Sequence, residues 1–512
     1  MMTIVNFFRD WKKVLVAVVL VGAFLRFFAL GATSFVADEF LDINASYGYF
    51  KTGEWQAWDF DFERPDTAEN ANIARDERAF AYKWQVAQLF RILPPTEATA
   101  RSVSALWGVV TVLLVFYMTV SFTKRKEIGL IAAFLYAVSI SALVMDRRLR
   151  MYAMFVSVFL TFSWMTYRVL EERYQGKIRW LRAMQKRFGL NLAYVIPAIV
   201  LGLLSLHLHL LTANIVFIVL FYAIVQAILS VRTSGWQFNK YLCIIIGFAA
   251  GVIGLQLFAS EAYALLASSF SFPDNHYGYF EIVLKDYSQP LLAMIFLAAG
   301  VGYMIRQEKF TKEGLWLALS FLTPLFMAVF MWRRNVGEQY ISFAQPFKIM
   351  LVAIGVYAVA RFFEKHMPGF GKKTFAAALV LSLFLLPNYG YFFQSDNTYA
   401  QTSQSDNPQY KKVFGYFMKN RSVEDILITR DLRSYYVSGA HAHIENIGGE
   451  ATKDKLTLER LQGILAQYPH GWIILSDNDD TFVSHDAMKL IEKTMERVSN
   501  PAVRGQVSVY RF

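Results

Sequence analysis

The chain is poor in cysteine and in charged residues. It has 512 residues, and its single cysteine, Cys243, lies within an apolar run. One cysteine provides neither an intramolecular disulfide nor a thiolate metal site. Charged residues make up 18% of the chain, whereas hydrophobic residues make up 55%. This composition is typical of a protein with many membrane-spanning helices and not of a large soluble enzyme.

Three further absences narrow the possible classes of function and the topology. The formal net charge is +11, but the basic residues lie in short loops between apolar segments and form no single patch, so no nucleic-acid partner is expected. No glycine-rich phosphate loop opens a helix, and the pair Gly448-Gly449 is interpreted as a turn. The N-terminal apolar segment is too long for a signal peptide and lacks a clear cleavage site, so we expect it to remain as the first helix.

Long apolar runs predict the membrane topology. The first, Val14 to Thr33, is interrupted only by Arg26 and follows Lys12 and Lys13. Ten further runs lie near 101–122, 127–145, 151–170, 190–209, 211–231, 241–260, 290–305, 314–332, 344–362 and 374–394. Each is near the length that a bilayer requires, which predicts about eleven transmembrane helices.

The loops predict the orientation. Every loop that this threading places inside is basic, so the positive-inside rule puts the N-terminus in the cytoplasm and the C-terminus outside. The protein is therefore predicted to be integral and multi-pass, in the plasma or inner membrane if its source is prokaryotic. The first outer loop, 34–100, includes an amphipathic segment near 79–92 with apolar residues at helical spacing: Phe80, Trp84, Ala87 and Phe90. We expect this helix to lie in the membrane interface, with Lys83 and Arg91 meeting head groups.

The residues after the last apolar run differ in character. A polar stretch at 395–409 is typical of a linker. Beyond it, strand-like and helix-like patterns alternate, with strands near 425–429, 471–475 and 506–512 and helices near 456–467 and 486–498. The sequence therefore predicts a membrane module at 1–394, a linker at 395–409 and a small extracytoplasmic α/β domain at 410–512.

An acidic pair, Asp38-Glu39, follows the first apolar run directly, at the predicted outer boundary of the membrane. Carboxylates with apolar neighbours at that depth are costly, so they are candidates for function. We interpret Asp38 and Glu39 as candidate catalytic residues. The alternative is a carboxylate pair at a helix end that simply meets water.

Two arginine clusters lie at predicted outer helix ends, where the positive-inside rule disfavours them. Arginine binds phosphate through a bidentate fork and stays charged at any depth. The alternative is a self-neutralised turn, in which Asp146 pairs with a neighbouring arginine and the others reach the head groups. The candidate phosphate-binding residues are Arg147, Arg148, Arg150, Tyr152, Arg333, Arg334 and Tyr340.

Other polar residues are candidates for binding or orienting an acceptor, namely Asp59, Asp146 and His209. His207 and His209 are two residues apart on a predicted helix and point to different faces, so they cannot easily share one metal. We expect the helix-end histidine to meet water. No metal ligand set is predicted. No cofactor is predicted either, and a divalent cation stays open but is not indicated.

Taken in order, these motifs resemble the GT-C membrane glycosyltransferases, most closely the protein O-mannosyltransferase/ArnT-like branch (glycosyltransferase families 39 and 83). That branch has an Asp-Glu pair at the start of its first outer loop, which Asp38-Glu39 matches. An arginine opening the second span is matched by Arg101, and an Arg-x-Tyr element opening the fourth is matched by Arg150-Met151-Tyr152.

The resemblance covers nearly the whole chain but departs at one late motif. Tyr340 and Pro346 match a late outer Arg-Tyr element with a following proline, but Gln339 stands where arginine is usual. Arg333 or Arg334 could substitute for it. The Trp-Trp-Asp acceptor element of the oligosaccharyltransferase branch is absent, which disfavours that branch.

The resemblance implies an enzyme with an outward-facing site. It would transfer a sugar from a polyprenyl-phosphate donor to a hydroxyl, with inversion, and its partners would be that donor, membrane lipid and an acceptor protein, glycan or lipid. Asp38 would be the general base, Glu39 would orient the site or bind acceptor, and Arg150 or a neighbour would hold the phosphate.

Two other classes of function stay open. A transporter or flippase of a lipid-linked or anionic substrate would place charges near the bilayer midplane and often shows inverted repeats. A non-catalytic membrane scaffold would present its outer domain to a partner. The sequence distinguishes neither the sugar nor the acceptor.

Overall fold

The structure is a computed structural model. It describes residues 10–36, 38–66, 76–234, 239–307, 310–333, 336–366, 374–386, 408–447, 455–476, 479–503 and 507–512. The chain divides into two compact units. We call the first the helical unit, and it comprises Met1–Arg26, Ala105–Asp146 and Tyr152–Pro387. We call the second the mixed unit, and it comprises Phe27–Ser104, Arg147–Met151 and Asn388–Phe512. The domain bounds derived from the sequence, with the linker at 395–409, stay predictions.

Helices are numbered through both units in chain order. They are α1 Trp11–Phe27, α2 Glu39–Thr52, α3 Phe80–Phe90, α4 Glu97–Thr123, α5 Lys126–Ala137, α6 Ile140–Asp146, α7 Tyr152–Glu171, α8 Arg179–Phe188, α9 Val195–Leu208, α10 Asn214–Ser234, α11 Lys240–Phe258, α12 Ser260–Ser268, α13 Gly278–Leu284, α14 Pro290–Arg306, α15 Thr311–Phe330, α16 Gln345–His366, α17 Thr374–Leu383, α18 Tyr410–Asn420, α19 Leu458–Gln467 and α20 His485–Thr494. The strands are β1 Trp58–Asp59, β2 Arg64–Pro65, β3 Ile426–Thr429, β4 Ile444–Asn446, β5 Gly471–Ser476, β6 Glu496–Arg497 and β7 Val507–Arg511.

Among the described residues, six helical segments are long and apolar enough to cross a membrane, and two bent helix pairs raise the number to eight. The protein is therefore an integral, multi-pass membrane protein. The count of eleven helices stays a prediction.

The predicted run at 127–145 forms two helices, α5 and α6, which meet at 61°. The break has a local cause, because the Ser139 hydroxyl accepts a hydrogen bond from the Ala142 amide at 3.2 Å and caps the new helix.

Helices of the helical unit differ in how deeply they are buried. The segment Ser342–His366, which contains α16, is buried over 89% of its best membrane-length window, whereas the corresponding value for α11 is 6%. α14 approaches α16 closely at Gly300 and Gly355. A Cβ atom at Gly355 would overlap the carbonyl oxygen of Phe296, and one at Gly300 would overlap that of Leu351. Small residues permit such backbone contact between membrane helices.

The C-terminal part of the mixed unit is a five-stranded sheet in the order β4-β3-β5-β7-β6. β3 pairs in parallel with β4 and β5, whereas β7 runs antiparallel to β5 and β6. β3 and β5 are buried along their whole length, and α19 and α20 pack apolar side chains against them. The helix predicted at 486–498 ends at Thr494 and is followed by β6, which the sequence did not predict.

The predicted interfacial helix is α3. Phe80 and Trp84 are 49% and 45% exposed, whereas Ala87 and Phe90 of the same predicted face are buried. Contact of Phe80 and Trp84 with the membrane interface stays a prediction. The expectation that Lys83 meets head groups is wrong, because Lys83 is buried and held by partners inside the mixed unit.

Candidate active site

The start of α2 places three carboxylates within one helical turn. Asp38 precedes the helix, Glu39 is its first residue, and Asp42 follows three positions later. Acidic side chains are favoured at this end because the helix dipole is positive there. They meet cations from three other segments. We call the set the charge network, and its members are Asp38, Glu39, Asp42, Lys83, Arg101 and Arg150.

Glu39 is the fixed centre of the charge network. Arg101 donates two hydrogen bonds to its carboxylate, from Nε at 2.9 Å and from Nη2 at 2.8 Å. The backbone amides of Leu149 and Val36 donate two more, at 2.6 and 3.1 Å. The residue is only 2% exposed. With four donors on two oxygens and almost no access to solvent, Glu39 is suited to fix the chain around it and not to exchange a proton.

Arg101 extends this hold to the segment before Asp38. Its guanidinium donates to the carbonyl oxygens of Leu30, Thr33 and Ser34 at 2.7–3.1 Å. Arg101 is the fifth residue of α4, a helix of membrane-spanning length. The residues leading to the acidic pair are therefore fastened to the beginning of a membrane-length helix.

Asp42 is a second buried acid with two cations. Arg150 Nη1 lies 2.9 Å from its Oδ2, and Lys83 Nζ lies 3.4 Å from its Oδ1. Lys83 also donates to the carbonyl oxygen of Asp76 at 3.0 Å. Burial lowers the pKa of Lys83, and the neighbouring Asp42 carboxylate opposes that effect only in part. The prediction that Lys83 meets lipid head groups is wrong, because the side chain serves an internal carboxylate.

Asp38 differs from the other two acids of the charge network. Its side chain is 54% exposed, although Arg150 Nη2 lies 3.2 Å from its Oδ2. Arg150 also donates to the Asp38 carbonyl oxygen at 3.3 Å. One guanidinium thus contacts both the exposed and a buried carboxylate. The charge network is closed at Glu39 and Asp42 and open to solvent at Asp38.

The three candidate arginines at 147–150 have different surroundings. Arg150 is buried and engaged by Asp38 and Asp42, so fewer of its donors face outward than the phosphate prediction assumed. Arg147 donates to the Phe28 carbonyl oxygen at 2.7 Å. Arg148 is half-buried, and within the described part of the chain its side chain makes no hydrogen bond or ion pair.

The sequence analysis missed Asp42 and Tyr82. The Tyr82 hydroxyl lies 2.7 Å from Ser104 Oγ, which donates to the Arg150 carbonyl oxygen at 3.2 Å. This chain of contacts supports the backbone of Arg150, whose guanidinium is held separately by Asp38 and Asp42. The spacing of three residues from Glu39 was the signal that could have identified Asp42, because positions three apart share a helix face.

A segment far along the sequence holds the residues before Asp38. The Tyr436 hydroxyl accepts a hydrogen bond from the Phe35 amide at 2.7 Å and donates to Glu97 Oε1 at 3.0 Å. The rings of Phe35 and Phe40 pack against the Tyr436 ring. The backbone before Asp38 is thus held at Phe35 by Tyr436 and at Val36 by Glu39.

Asp146 lies in the helical unit and pairs with the first helix. Arg26 Nε donates to its Oδ2 at 2.8 Å, and both side chains are buried. Arg26 also donates to the carbonyl oxygens of Gly22 and Ala137. A Cβ atom at Gly108 would overlap both charged groups, so glycine is required there. The alternative interpretation, that Asp146 pairs with a neighbouring arginine, is therefore wrong.

His209 is buried in the helical unit. Its Nδ1 accepts a hydrogen bond from the Leu211 amide at 3.1 Å, and its ring lies 5.6 Å from that of Tyr152 and 6.5 Å from that of Tyr340. The expectation that this helix-end histidine meets water is wrong, because aromatic rings surround it. The structure brings together Tyr152, His209 and Tyr340.

The structure describes two further predicted residues, Arg333 and Asp59. Arg333 is exposed in the helical unit, whereas Arg334 falls outside the described residues. Asp59 accepts hydrogen bonds from the amides of Asp61 and Phe62 and so closes a turn. Within the described ranges, no group of three or more His, Cys, Asp or Glu residues could hold a metal ion.

Comparisons with known proteins show which solved structures have a similar architecture. No family model matches the chain, and no curated protein sequence matches it. The oligosaccharyltransferase AglB from Archaeoglobus fulgidus, solved with an inhibitory peptide and a dolichol-phosphate, matches 92% of this chain and 70% of its own at 11% identity, with a TM-score of 0.58. ArnT from Cupriavidus metallidurans in the apo state matches 98% of both chains at 11% identity, with a TM-score of 0.52. At this identity the likeness shows a shared fold.

Proposed function

We propose that this chain, which has the fold of the GT-C membrane glycosyltransferases, transfers a sugar from a polyprenyl-phosphate donor to a hydroxyl acceptor. The resemblance predicted from the sequence is confirmed at the level of the fold. The proposed reaction inverts the anomeric centre and takes place at the extracytoplasmic face, with the N-terminus in the cytoplasm and the sheet-containing C-terminal region outside. The acceptor is a protein, a glycan or a lipid.

The observation that carries the proposal is the exposure of Asp38 within the charge network. Its carboxylate is 54% exposed and lies 3.2 Å from the Arg150 guanidinium, while Glu39 and Asp42 are buried and fully engaged. A general base must reach the proton that it removes and must be held in one position. Asp38 meets both conditions, whereas Glu39 meets only the second.

The chemistry requires one base and cations, but no general acid. The acceptor hydroxyl gives its proton to Asp38, and its oxygen bonds to the anomeric carbon as the bond from that carbon to the phosphate oxygen breaks. The lipid phosphate leaves with its electron pair and needs no proton, in contrast to the alkoxide leaving group of a glycosidase. Cations near the departing oxygen stabilise the developing charge.

Within the proposal, two of the three arginines have different roles. Arg150 orients Asp38 through the contacts described above. Arg148 holds the donor phosphate, which suits a guanidinium without an internal carboxylate, and Arg147 lies beside it in the sequence. The roles of Tyr152, Arg333 and Tyr340 at the donor, and of Asp59, Asp146 and His209 at the acceptor, stay predictions.

The position of the charge network along the chain fits a lipid-linked donor. Arg101 ties the network to the first turns of α4, a helix of membrane-spanning length, and a polyprenyl carrier presents its phosphate where such a helix ends. AglB, which has a similar fold, was solved with a dolichol-phosphate. A transporter would instead place its exposed charges near the bilayer midplane.

The first test identifies the reaction. Membranes containing the full chain are incubated with a panel of labelled polyprenyl-phosphate sugars, and label is followed into protein, glycan and lipid fractions. Transfer of label from one donor, in membranes with the chain and not in membranes without it, supports the proposal. Label that crosses the membrane while still attached to its carrier would instead indicate a flippase.

The second test addresses the base. Asp38→Asn keeps size and hydrogen bonding but cannot accept a proton, so we expect transfer to fall by about 10²–10⁴ while donor binding persists. Asp486→Asn is the matched control, because it changes an exposed aspartate in the first turn of α20 that has no role in the proposal, and it should retain activity. Arg148→Ala should weaken donor binding. Full activity of Asp38→Asn with the correct donor would overturn the mechanism.

A further inference from the structure

Helix α8 separates its residues into two faces. At 100° per residue, Arg179, Arg182, Lys186 and Arg187 fall on one side of the axis. The apolar residues Trp180, Leu181, Met184 and Phe188 fall on the other side. The reaction proposed above uses none of these residues.

The apolar face of α8 is only partly covered by the protein. Leu181 is buried, whereas Trp180 and Phe188 are 59% and 50% exposed, and Ile178 just before the helix is 49% exposed. Aromatic side chains with this exposure are typical of the membrane-water interface. The helix thus packs one apolar residue against the protein and leaves two aromatic rings uncovered.

The cationic face of α8 has no carboxylate partner among the residues that the structure describes. Arg179, Arg182, Lys186 and Arg187 are exposed, and in the described part of the chain none forms an ion pair. The two glutamates that precede the helix are already engaged, because Glu171 pairs with Lys240 and Lys312 and Glu172 pairs with Arg168. The described residues of the helical unit therefore do not neutralise the positive charge of this surface.

The direction of α8 places these faces along a membrane surface. The helix is bent by 108° from the segment Leu192–Leu208, the apolar segment that follows it. If that segment crosses the bilayer, α8 runs nearly parallel to the bilayer plane. An amphipathic helix in that plane buries its apolar face at the level of the head groups and presents its cations to the phosphates.

We propose that α8 is a binding surface for anionic lipid head groups. Trp180 and Phe188 enter the interface, and the four cations on the opposite side reach the phosphates of neighbouring lipids. Each cation near an anionic membrane surface contributes about a fivefold gain in binding, the equivalent of roughly 1 kcal/mol. The proposal does not depend on the reaction that the chain catalyses.

The test places a probe on α8 in the intact protein. The exposed Cys243 is replaced by serine, and Ala183→Cys on the cationic side carries an environment-sensitive fluorophore. The protein is reconstituted in phosphatidylcholine nanodiscs with a small fraction of either phosphatidylglycerol or phosphatidylcholine bearing a nitroxide at the same chain position. We expect the anionic quencher to act more strongly than the zwitterionic one, and high salt to reduce that preference by screening.

Matched charge variants decide the outcome. The triple variant Arg179→Gln, Lys186→Gln and Arg187→Gln should bring the two quenchers to equal efficiency. A control that removes three exposed lysines elsewhere, Lys412→Gln, Lys419→Gln and Lys493→Gln, should leave the preference unchanged. Equal quenching in the parent protein would overturn the proposal. So would a preference that survives the triple variant, because residues other than the cations of α8 would then cause it.

Discussion

The two units bury charge in different ways. In the helical unit, Arg26 pairs with Asp146 and Lys348 pairs with Asp286, each at 2.8 Å, and no side chain of these pairs is more than 2% exposed. Their remaining donors reach backbone carbonyls, such as that of Val283 for Lys348. In the mixed unit, Arg101 also closes on Glu39, but Lys83, Asp42 and Arg150 form a chain of ion pairs that ends at Asp38, with a 54% exposed side chain.

This difference distinguishes charged residues that only hold the fold from charged residues that are candidates for catalysis. A closed pair neutralises itself and can only stabilise or orient the elements that carry it. A network with one exposed member can present that member to a substrate while its buried members stay in place. Burial of charge alone therefore does not identify a site, and the exposed end of a buried network is the more informative feature.

Breaking a closed pair should give the largest change in stability. Asp146→Leu leaves Arg26 charged and buried without its partner, which should lower the free energy of unfolding by about 3–5 kcal/mol. The double variant Arg26→Met, Asp146→Leu should recover most of that loss, because well-packed apolar residues often replace buried ion pairs without cost. Unfolding in mixed detergent micelles measures both. A double variant as unstable as the single one would contradict the assignment as a closed pair.

Removing the fixed centre of the charge network should affect stability and transfer together. Glu39→Gln loses the charge that Arg101 contacts, so we expect a loss of about 2–3 kcal/mol in the free energy of unfolding and reduced transfer. Asp38→Asn is the comparison. Because its side chain is exposed, the substitution should change stability by no more than about 0.5 kcal/mol while it lowers transfer by about 10²–10⁴. If Glu39→Gln left the free energy of unfolding unchanged, the distinction between a fixed and an exposed member would fail.

Weakening the contacts of Tyr436 with the segment before Asp38 should give a moderate loss of stability. Tyr436→Phe removes the acceptor of the Phe35 amide and the donor to Glu97, which should cost about 1–3 kcal/mol. Tyr435→Phe is the matched control, because its hydroxyl donates one hydrogen bond, to the Pro95 carbonyl oxygen, and the loss should be smaller. Thermal unfolding of both variants provides the measurement. Equal losses of stability in the two variants would contradict the larger contribution assigned to the two hydrogen bonds of Tyr436.

Replacing Lys83 should give the smallest effect, which is visible in the pH dependence of the unfolding free energy. Burial lowers its pKa from the usual 10.5, so between the folded and unfolded pKa values the unfolded chain binds more protons. Stability therefore rises with pH in that window. Lys83→Met should remove this contribution, so that the difference in unfolding free energy between parent and variant changes in favour of the parent as pH rises towards 10.5. A constant difference would contradict the shift.

The sequence predicted what depends on local pattern. Hydropathy identified the membrane-length helices, and the acidic pair at Asp38-Glu39 was recognisable because it follows an apolar run directly. The bend between α5 and α6 was missed, although Ser139 is a residue type that caps helices. The burial of Lys83 in α3 was missed because periodicity fixes the spacing of a helix but not the partners of its side chains.

The pairings within the candidate site could not be predicted, because they join distant parts of the chain. Arg101 lies 62 residues from Glu39, and Arg26 lies 120 residues from Asp146. Arg150 was assigned to phosphate because three arginines at a helix end suggest an external anion. Its partners Asp38 and Asp42 are visible only once the chain is folded.

The four donors of Glu39 also set an order for biosynthesis. Arg101 is 62 residues and Leu149 is 110 residues further along the chain. At about 5–20 residues per second, a ribosome needs on the order of ten seconds to reach Leu149 after it has added Glu39. Until then the carboxylate has to remain hydrated. The beginning of α2 is thus among the first parts of the chain to be synthesised, yet it reaches its final arrangement only after the segment that follows α6 has been made.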